Sequence, residues 1–282
     1  FNQEINVKKL LEGEVDLSML TNTTVTPNGA LFRTDKQGFL PELLEEMYDQ
    51  RVLFKRKMIQ SQQELETIDK SDTVKRRRCE YDIVKYNNNQ MVRKISLNSC
   101  YGALGNQYFR YFNREIAEGI TTAGQLSIKW VEKAVNEYLN KLLETDTDYV
   151  VAIDTDSIYV TFENLIERVK PNNPVEFLDT IAKEKIEPMI NNSYEELSSY
   201  MNAYQNKMEM GREVIADKGI WTAKKRYILN VHDSEGVRFK TPKLKMMGIE
   251  TAKSSTPMWC RKKLEEGIRT LMNGTENDVW DF

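Results

Sequence analysis

Apolar positions along this chain recur at two periods, and the switches between them mark out its elements. From residue 41 to about 67, Leu43, Leu44, Met47, Leu53, Phe54 and Met58 return at helical spacing, and Pro41 suits a first helical turn. A polar joint at 68–73 leads into a second helical stretch, about 74–104. Its weak point is Asn87-Asn88-Asn89, and it ends in a glycine-rich stop, Gly102-Ala103-Leu104-Gly105. Two helices with so short a joint predict an antiparallel hairpin, a lobe of its own. A third helix fits 115–143, with Ile116, Ile120, Ile128, Val131, Val135, Tyr138, Leu139 and Leu142 on its apolar side.

At VVAIDTDSIYV, residues 150–160, the texture becomes that of a strand, a turn and a second strand. A helix over 175–201, bent at Pro188, follows the loop between Pro171 and Pro174. β-like texture returns at 208–216, 220–231 and 237–241, with a turn at Asp233-Ser234-Glu235-Gly236, and Pro257 opens a last helix over 258–272. Near the start, the turn signals Pro27-Asn28-Gly29 and Thr34-Asp35-Lys36-Gln37-Gly38 bracket Ala30-Leu31-Phe32, which predicts a short hairpin. Strands and helices interleave irregularly, so the expected class is α+β.

The 282 residues, 40% of them hydrophobic, are enough for a sizeable core spread over two or three lobes. No run approaches the length of an apolar membrane span, and the first residues carry no signal-peptide core. The chain begins at Phe1 and stops at Asp281-Phe282, and the expectation is a piece of something longer. Cys79, Cys100 and Cys260 form neither a zinc pattern nor a disulfide framework, which suits a reducing cytoplasm. The single histidine, His232, reads as a surface turn residue, and one histidine makes triad hydrolysis and His-rich metal sites improbable. Net charge is −3, unevenly spread: 12 Lys or Arg face 6 Asp or Glu over 51–94, and 12 face 3 over 218–263. Two basic zones in an acidic chain suit a polyanionic partner, although solvated helix faces give the same pattern.

The pair Asp154 and Asp156 is the first candidate for chemistry. Residues two apart in a strand point the same way, so both carboxylates are expected on one face near a hairpin tip. Like charges so close need a positive neighbour, and a hard divalent cation with oxygen ligands would supply it. An ordinary polar turn would use the same residues. Glycosyltransferases holding a nucleotide sugar and nucleotidyl transferases working through two metals both use such a pair.

Lys94, Asn98 and Tyr101 lie at i, i+4 and i+7 of the second helix, and Arg51 and Lys55 at i and i+4 of the first. In an antiparallel hairpin both stripes can converge on one triphosphate, the cations on the phosphates and the ring on sugar or base. Solvated helix faces would look alike. Farther on, Lys224-Lys225-Arg226-Tyr227 sets three cations among aromatics. Read as one continuous strand, it turns Lys225 opposite to Lys224 and Arg226, a pattern suited to a phosphate backbone or to a charged edge strand.

Together these residues resemble family B DNA polymerases. Lys94 with Asn98-Ser99-Cys100-Tyr101-Gly102 is similar to the K-x-x-x-N-S-x-Y-G fingers motif, Asp154-Thr155-Asp156-Ser157 to the D-T-D-S palm motif, and Lys224-Lys225-Arg226-Tyr227 to the K-K-R-Y primer-template motif. The stretch from Ser96 to Asn106 and Lys253-Ser254-Ser255-Thr256-Pro257 resemble the replicative enzymes of large tailed bacteriophages.

The resemblance implies an N-terminal palm-associated segment over 1–40, a fingers helical hairpin over 41–106, a palm with antiparallel sheet and packed helices over 107–245, and the start of a thumb from 246. It implies Arg51, Lys55, Lys94, Asn98 and Tyr101 as nucleotide-binding, with Lys94 also catalytic. Lys224, Lys225, Arg226 and Tyr227 would bind DNA. Asp156 and Asp154 would be metal ligands, with Glu213 an auxiliary one, for two Mg²⁺ ions. Partners would be primer-template DNA, deoxynucleoside triphosphates and a complementary polymerase segment, in the cytoplasm of an infected host.

The chain departs from the family pattern in several ways. The D-x-x-S-L-Y-P-S metal-ligand motif is not found before the fingers; Asp16-Leu17-Ser18-Met19-Leu20 is a faint echo without its continuation. The resemblance leads one to expect an exonuclease domain and most of a thumb outside this stretch, the fingers are short, and Ala152-Ile153 stands where Tyr-Gly usually precedes D-T-D-S. The expectation is a DNA polymerase portion that needs a separate segment for full activity, with a non-catalytic DNA-binding or assembly module as the alternative.

Overall fold

A computed structural model describes residues 4–282. Helix α1 (Val7–Leu11) is capped by the Asn6 side chain, and the hairpin β1 (Thr23–Val25) with β2 (Leu31–Arg33) follows as the turn signals require. Helices α2 (Phe39–Thr67) and α3 (Thr73–Leu104) then form the long antiparallel hairpin. Asp72 caps α3 through its side chain, and the helix runs unbroken through the three asparagines, where Asn89 turns its amide back to the Lys85 carbonyl at 2.9 Å. Between the helices, Arg93 donates to Gln50 at 2.9 Å and lies over the Phe54 ring at 4.5 Å.

Helix α4 (Arg114–Leu143) carries the core. Its apolar stripe buries Val131, Val135, Leu139 and Leu143 against the hairpin β3 (Val150–Asp154) with β4 (Ser157–Val160), against α5 (Glu163–Val169), and against Ile190 and Tyr194 of α7 (Glu187–Tyr200). Helix α6 (Pro174–Ile181) reaches α7 through a widened π-helical turn, Ala182–Ile186. That turn stands just before Pro188, where the sequence predicts a bend. A proline ring clashes with the carbonyl four residues back and removes one N–H, and a wider turn relieves both.

Strands β5 (Val214–Ala223), β6 (Arg226–Ser234) and β7 (Val237–Met247) form one antiparallel sheet, which α8 (Met258–Asn273) covers through Met272, Ile228 and Ile249. A short 3₁₀ turn, Glu250–Ala252, leads into α8, and α9 (Glu276–Asp281) ends the chain behind a capping box.

The class is α+β, with only antiparallel sheets among the described residues. Several boundaries of the sheet differ from the sequence expectation. Residues 208–213 form no strand, and β7 runs to Met247 rather than to 241. Lys224 and Lys225 are turn residues, so strand alternation does not govern where they point. His232 stands within β6, half-buried with its ring nitrogen 3.2 Å from Asp217, because that strand continues to Ser234. The cysteines are free, and among the described residues no helix is long and apolar enough to cross a membrane.

Candidate active site

The polar side of α4 positions the carboxylate hairpin. Asn136 accepts the Tyr149 N–H at 2.8 Å, and Asn140 accepts that of Thr147 at the same distance, so the segment entering β3 is fixed to the helix. In the hairpin, Asp154 pairs with Ser157, which leaves Thr155-Asp156 as a two-residue turn. Asp156 therefore lies beyond the strand, and the expected two-residue alternation is not what relates the two carboxylates. The turn is closed by Asp156 N–H on the Asp154 carbonyl at 2.7 Å and by the Ser157 hydroxyl on the same carbonyl at 3.1 Å. Thr155 has φ +59°, an uncommon conformation for a β-branched residue, and its hydroxyl donates to the Asp154 carboxylate at 3.1 Å. Such strain persists where the surroundings hold it, and it gathers at functional sites.

A second two-residue turn faces the first. Ala223 pairs with Arg226, so Lys224-Lys225 forms the tip of β5–β6, and the Lys225 ammonium stands 3.9 Å from the Asp154 carboxylate. The positive neighbour that the carboxylate pair requires is thus in part a lysine of the basic motif. Arg226 does not point to the carboxylates; its guanidinium is held by both oxygens of Glu250 at 2.7 Å. Tyr227 is buried in an aromatic group that joins the two hairpins, with Tyr159 of β4 5.3 Å from Tyr227 and 5.4 Å from Trp221, centroid to centroid. Burial, reinforced by the neighbouring Tyr227 hydroxyl, pushes the Tyr159 phenol well above its usual range. Trp221 and Tyr227 are the aromatics that flank the basic motif in the sequence, whereas the bridging place of Tyr159 has as its local signal the alternation in β4, which turns it to the same side as Ser157.

Lys94, Asn98 and Tyr101 are exposed on α3, and none of them bonds to the carboxylate hairpin. The Gln50–Arg93 bond sets Arg51 and Lys94 at one level of the helical hairpin. Lys55 is engaged by Glu235, at the turn between β6 and β7. Glu213 pairs with Lys245 at 2.7 Å. Among the described residues no three His, Cys, Asp or Glu side chains gather into a metal-holding group, so Glu213 does not complete a set with Asp154 and Asp156. Asp16 lies elsewhere, beside a cavity of about 570 Å³ lined also by Tyr200 and Asn202, and accepts the Ser18 N–H at 2.9 Å. Asp154 is 27% exposed and Asp156 is open to solvent. Two such oxygen donors suit magnesium, which keeps several waters and takes one or two carboxylates together with substrate phosphates.

The family model for DNA polymerase family B matches residues 2–279, almost the whole chain. The chain belongs to DNA polymerase family B. It is 37% identical to the DNA-directed DNA polymerase of Enterobacteria phage T4, over 91% of this chain and 34% of that protein. The DNA-directed DNA polymerase of Escherichia phage RB69 is 38% identical, over 89% of this chain and 33% of its own length. The DNA polymerase of Pyrococcus glycovorans is 29% identical over 73% of this chain. The chain thus spans about a third of the length of its phage relatives. In this family B chain the acidic turn and the basic turn meet at their tips, and they belong to separate sheets.

Proposed function

We propose that this chain is the fingers–palm portion of a phage-type DNA polymerase that adds deoxynucleotides to a primer 3′ hydroxyl under the direction of a template. The observation that carries this reading is the meeting of the Asp154–Asp156 turn with the Lys225 turn, in a chain of this family. The helical hairpin over 41–106 serves as fingers, residues 107–245 as palm, and the segment from 246 as the start of the thumb. Asp156 and Asp154 hold the divalent ions. When bound, two Mg²⁺ ions stabilise charge on the attacking and leaving oxygens. Arg51, Lys55 and Lys94 grip the triphosphate, while Asn98 and Tyr101 lie along the same stripe for sugar and base. Lys224 and Lys225 meet the primer-template backbone, and Arg226 and Tyr227 hold their turn in place. Two carboxylates make half of a two-metal donor set, so a further segment of the polymerase supplies the remainder.

Primer extension on a primed template with Mg²⁺, beside a binding assay on the same DNA, tests this. Extension that Asp156→Ala abolishes supports the enzyme. Addition of a segment bearing the missing carboxylate should restore synthesis where the chain alone gives none, and silence despite demonstrated assembly would sink the reading. The lack of a third acid near Asp154 and Asp156 among the described residues favours a second reading, a DNA-binding or assembly module. In that case Asp156→Ala keeps full DNA affinity and no addition restores synthesis.

A further inference from the structure

Arg51 and Lys55 stand one turn apart on α2, yet their surroundings differ. The Lys55 ammonium is engaged by the Glu235 carboxylate, with the two side chains 36% and 25% exposed. The Arg51 side chain has no hydrogen bond or ion pair among the described residues, and its Nε is buried without a partner.

The turn that brings Glu235 to α2 is firmly set. Glu235 and Gly236, at φ +52° and +84°, form the two-residue connection between β6 and β7. The Glu235 N–H donates to the Glu213 carbonyl at 2.6 Å, and the Gly236 N–H to the buried Asp233 carboxylate at 2.9 Å. Two helical turns beyond Lys55, the Gln63 amide donates to the Gly236 carbonyl at 3.0 Å. The backbone that carries the Glu235 carboxylate to Lys55 is therefore a braced turn.

We infer that Glu235 is an affinity-setting residue of the nucleotide site: its carboxylate holds Lys55 where a phosphate would bind, so an incoming triphosphate must displace it. This rests on the proposed function, in which Arg51 and Lys55 grip the triphosphate. The exchange is chemically favourable. A triphosphate carries more charge than one carboxylate and can satisfy Arg51 and Lys55 together. The neutral Gln63 bond is untouched by the exchange, so α2 stays tethered to the turn while Lys55 changes partner. Removing the competitor strengthens binding, and the gain shrinks as salt screens the partly exposed pair.

The test is calorimetric titration of a Mg²⁺-loaded deoxynucleoside triphosphate into the chain, comparing wild type, Glu235→Gln, Lys55→Gln and the double variant. Gln keeps the length of the side chain and the backbone of the turn. Glu235→Gln should tighten binding roughly two- to tenfold, as an exposed to half-buried ion pair warrants. Lys55→Gln should loosen it, and adding Glu235→Gln to Lys55→Gln should then change nothing. If Lys55→Gln loosens binding and Glu235→Gln does not tighten it, the competition is overturned and the triphosphate site stands. Equal tightening on both backgrounds assigns the effect to general charge and overturns the competition too. No effect of Lys55→Gln, or no binding by the wild-type chain, overturns the site and the competition together.

Discussion

Gly248 shows how a single residue fixes the candidate site from a distance. It follows β7 at φ +65°, and a Cβ there would collide with the Lys225 carbonyl oxygen and come within 3.0 Å of the Arg226 side chain. The backbone of the basic turn is thus seated against a position that tolerates no side chain. Gly248→Ala is expected to cost about 1–3 kcal/mol, from the left-handed conformation and the displaced turn. Urea unfolding reads the first effect. Loss of DNA affinity beyond that of an equally destabilised control reads the second. Gly124 gives the opposite sign: it is exposed in the middle of α4, and a Cβ added there would meet nothing within 4 Å. Gly124→Ala should stabilise the chain by about 0.5–1 kcal/mol, since only helix propensity changes. A loss of stability there would mean that the open space is filled in solution.

At the scale of elements, the helical layer and the three-stranded sheet are joined by charge. Arg212 bridges Asp179 of α6 and Asp233 of β6, with Arg212 10% and Asp233 2% exposed. Arg238 also reaches Asp233, at 3.0 Å, and Lys183 reaches Asp179 at 2.8 Å. Arg212→Ala would leave two carboxylates facing each other with part of their compensation gone, at a cost of about 3–5 kcal/mol. Burial raises the Asp179 carboxyl, but Lys183 and Arg212 together bring it below its usual value. A carboxyl depressed in the folded state stabilises above its unfolded pKa, and that stability is lost as pH falls through the folded value. Acid unfolding of the wild type should therefore include a transition below about pH 4, and Arg212→Ala should move it to higher pH. An unchanged acid midpoint would remove Arg212 from the account. The bridge itself was not legible in the sequence, because Asp179, Arg212 and Asp233 stand tens of residues apart and carry no common period; only the Asp179–Lys183 pair has helical spacing. In Gly211-Arg212-Glu213 the family resemblance singles out the glutamate, whereas the arginine does the joining. The long helices were legible, since 3.6-residue periodicity is a property of one segment alone. The Lys224-Lys225 turn was not, since neither residue is a turn former and a run of β-forming apolar residues, Tyr227-Ile228-Leu229, resumes directly after Arg226. The Asp-Thr-Asp tip was legible as a turn, but its facing cation depends on another sheet.

Across the whole molecule, stability is unevenly distributed. Helix α4 buries eight residues, whereas α2 buries none and α3 only Cys79, Gln90 and Leu104. The helical hairpin leans on the rest of the chain through polar pairs: Lys55 with Glu235, Gln63 with Gly236, Glu66 with Lys243 at 3.3 Å, and Glu45 with Lys207. Pairs so exposed contribute little each and weaken with salt. Native-state hydrogen exchange should therefore find the amides of α2 and α3 opening at much lower free energy than those of α4, which should exchange last. Raising the salt concentration should widen the difference, because the apolar packing of α4 does not depend on ion pairs. Such a division suits a hairpin whose cations must change partner when an anionic ligand arrives, since only contacts that open easily can be exchanged. Equal protection in the hairpin and in α4, insensitive to salt, would show that the hairpin is held by its own packing. The polar pairs would then be incidental to its position.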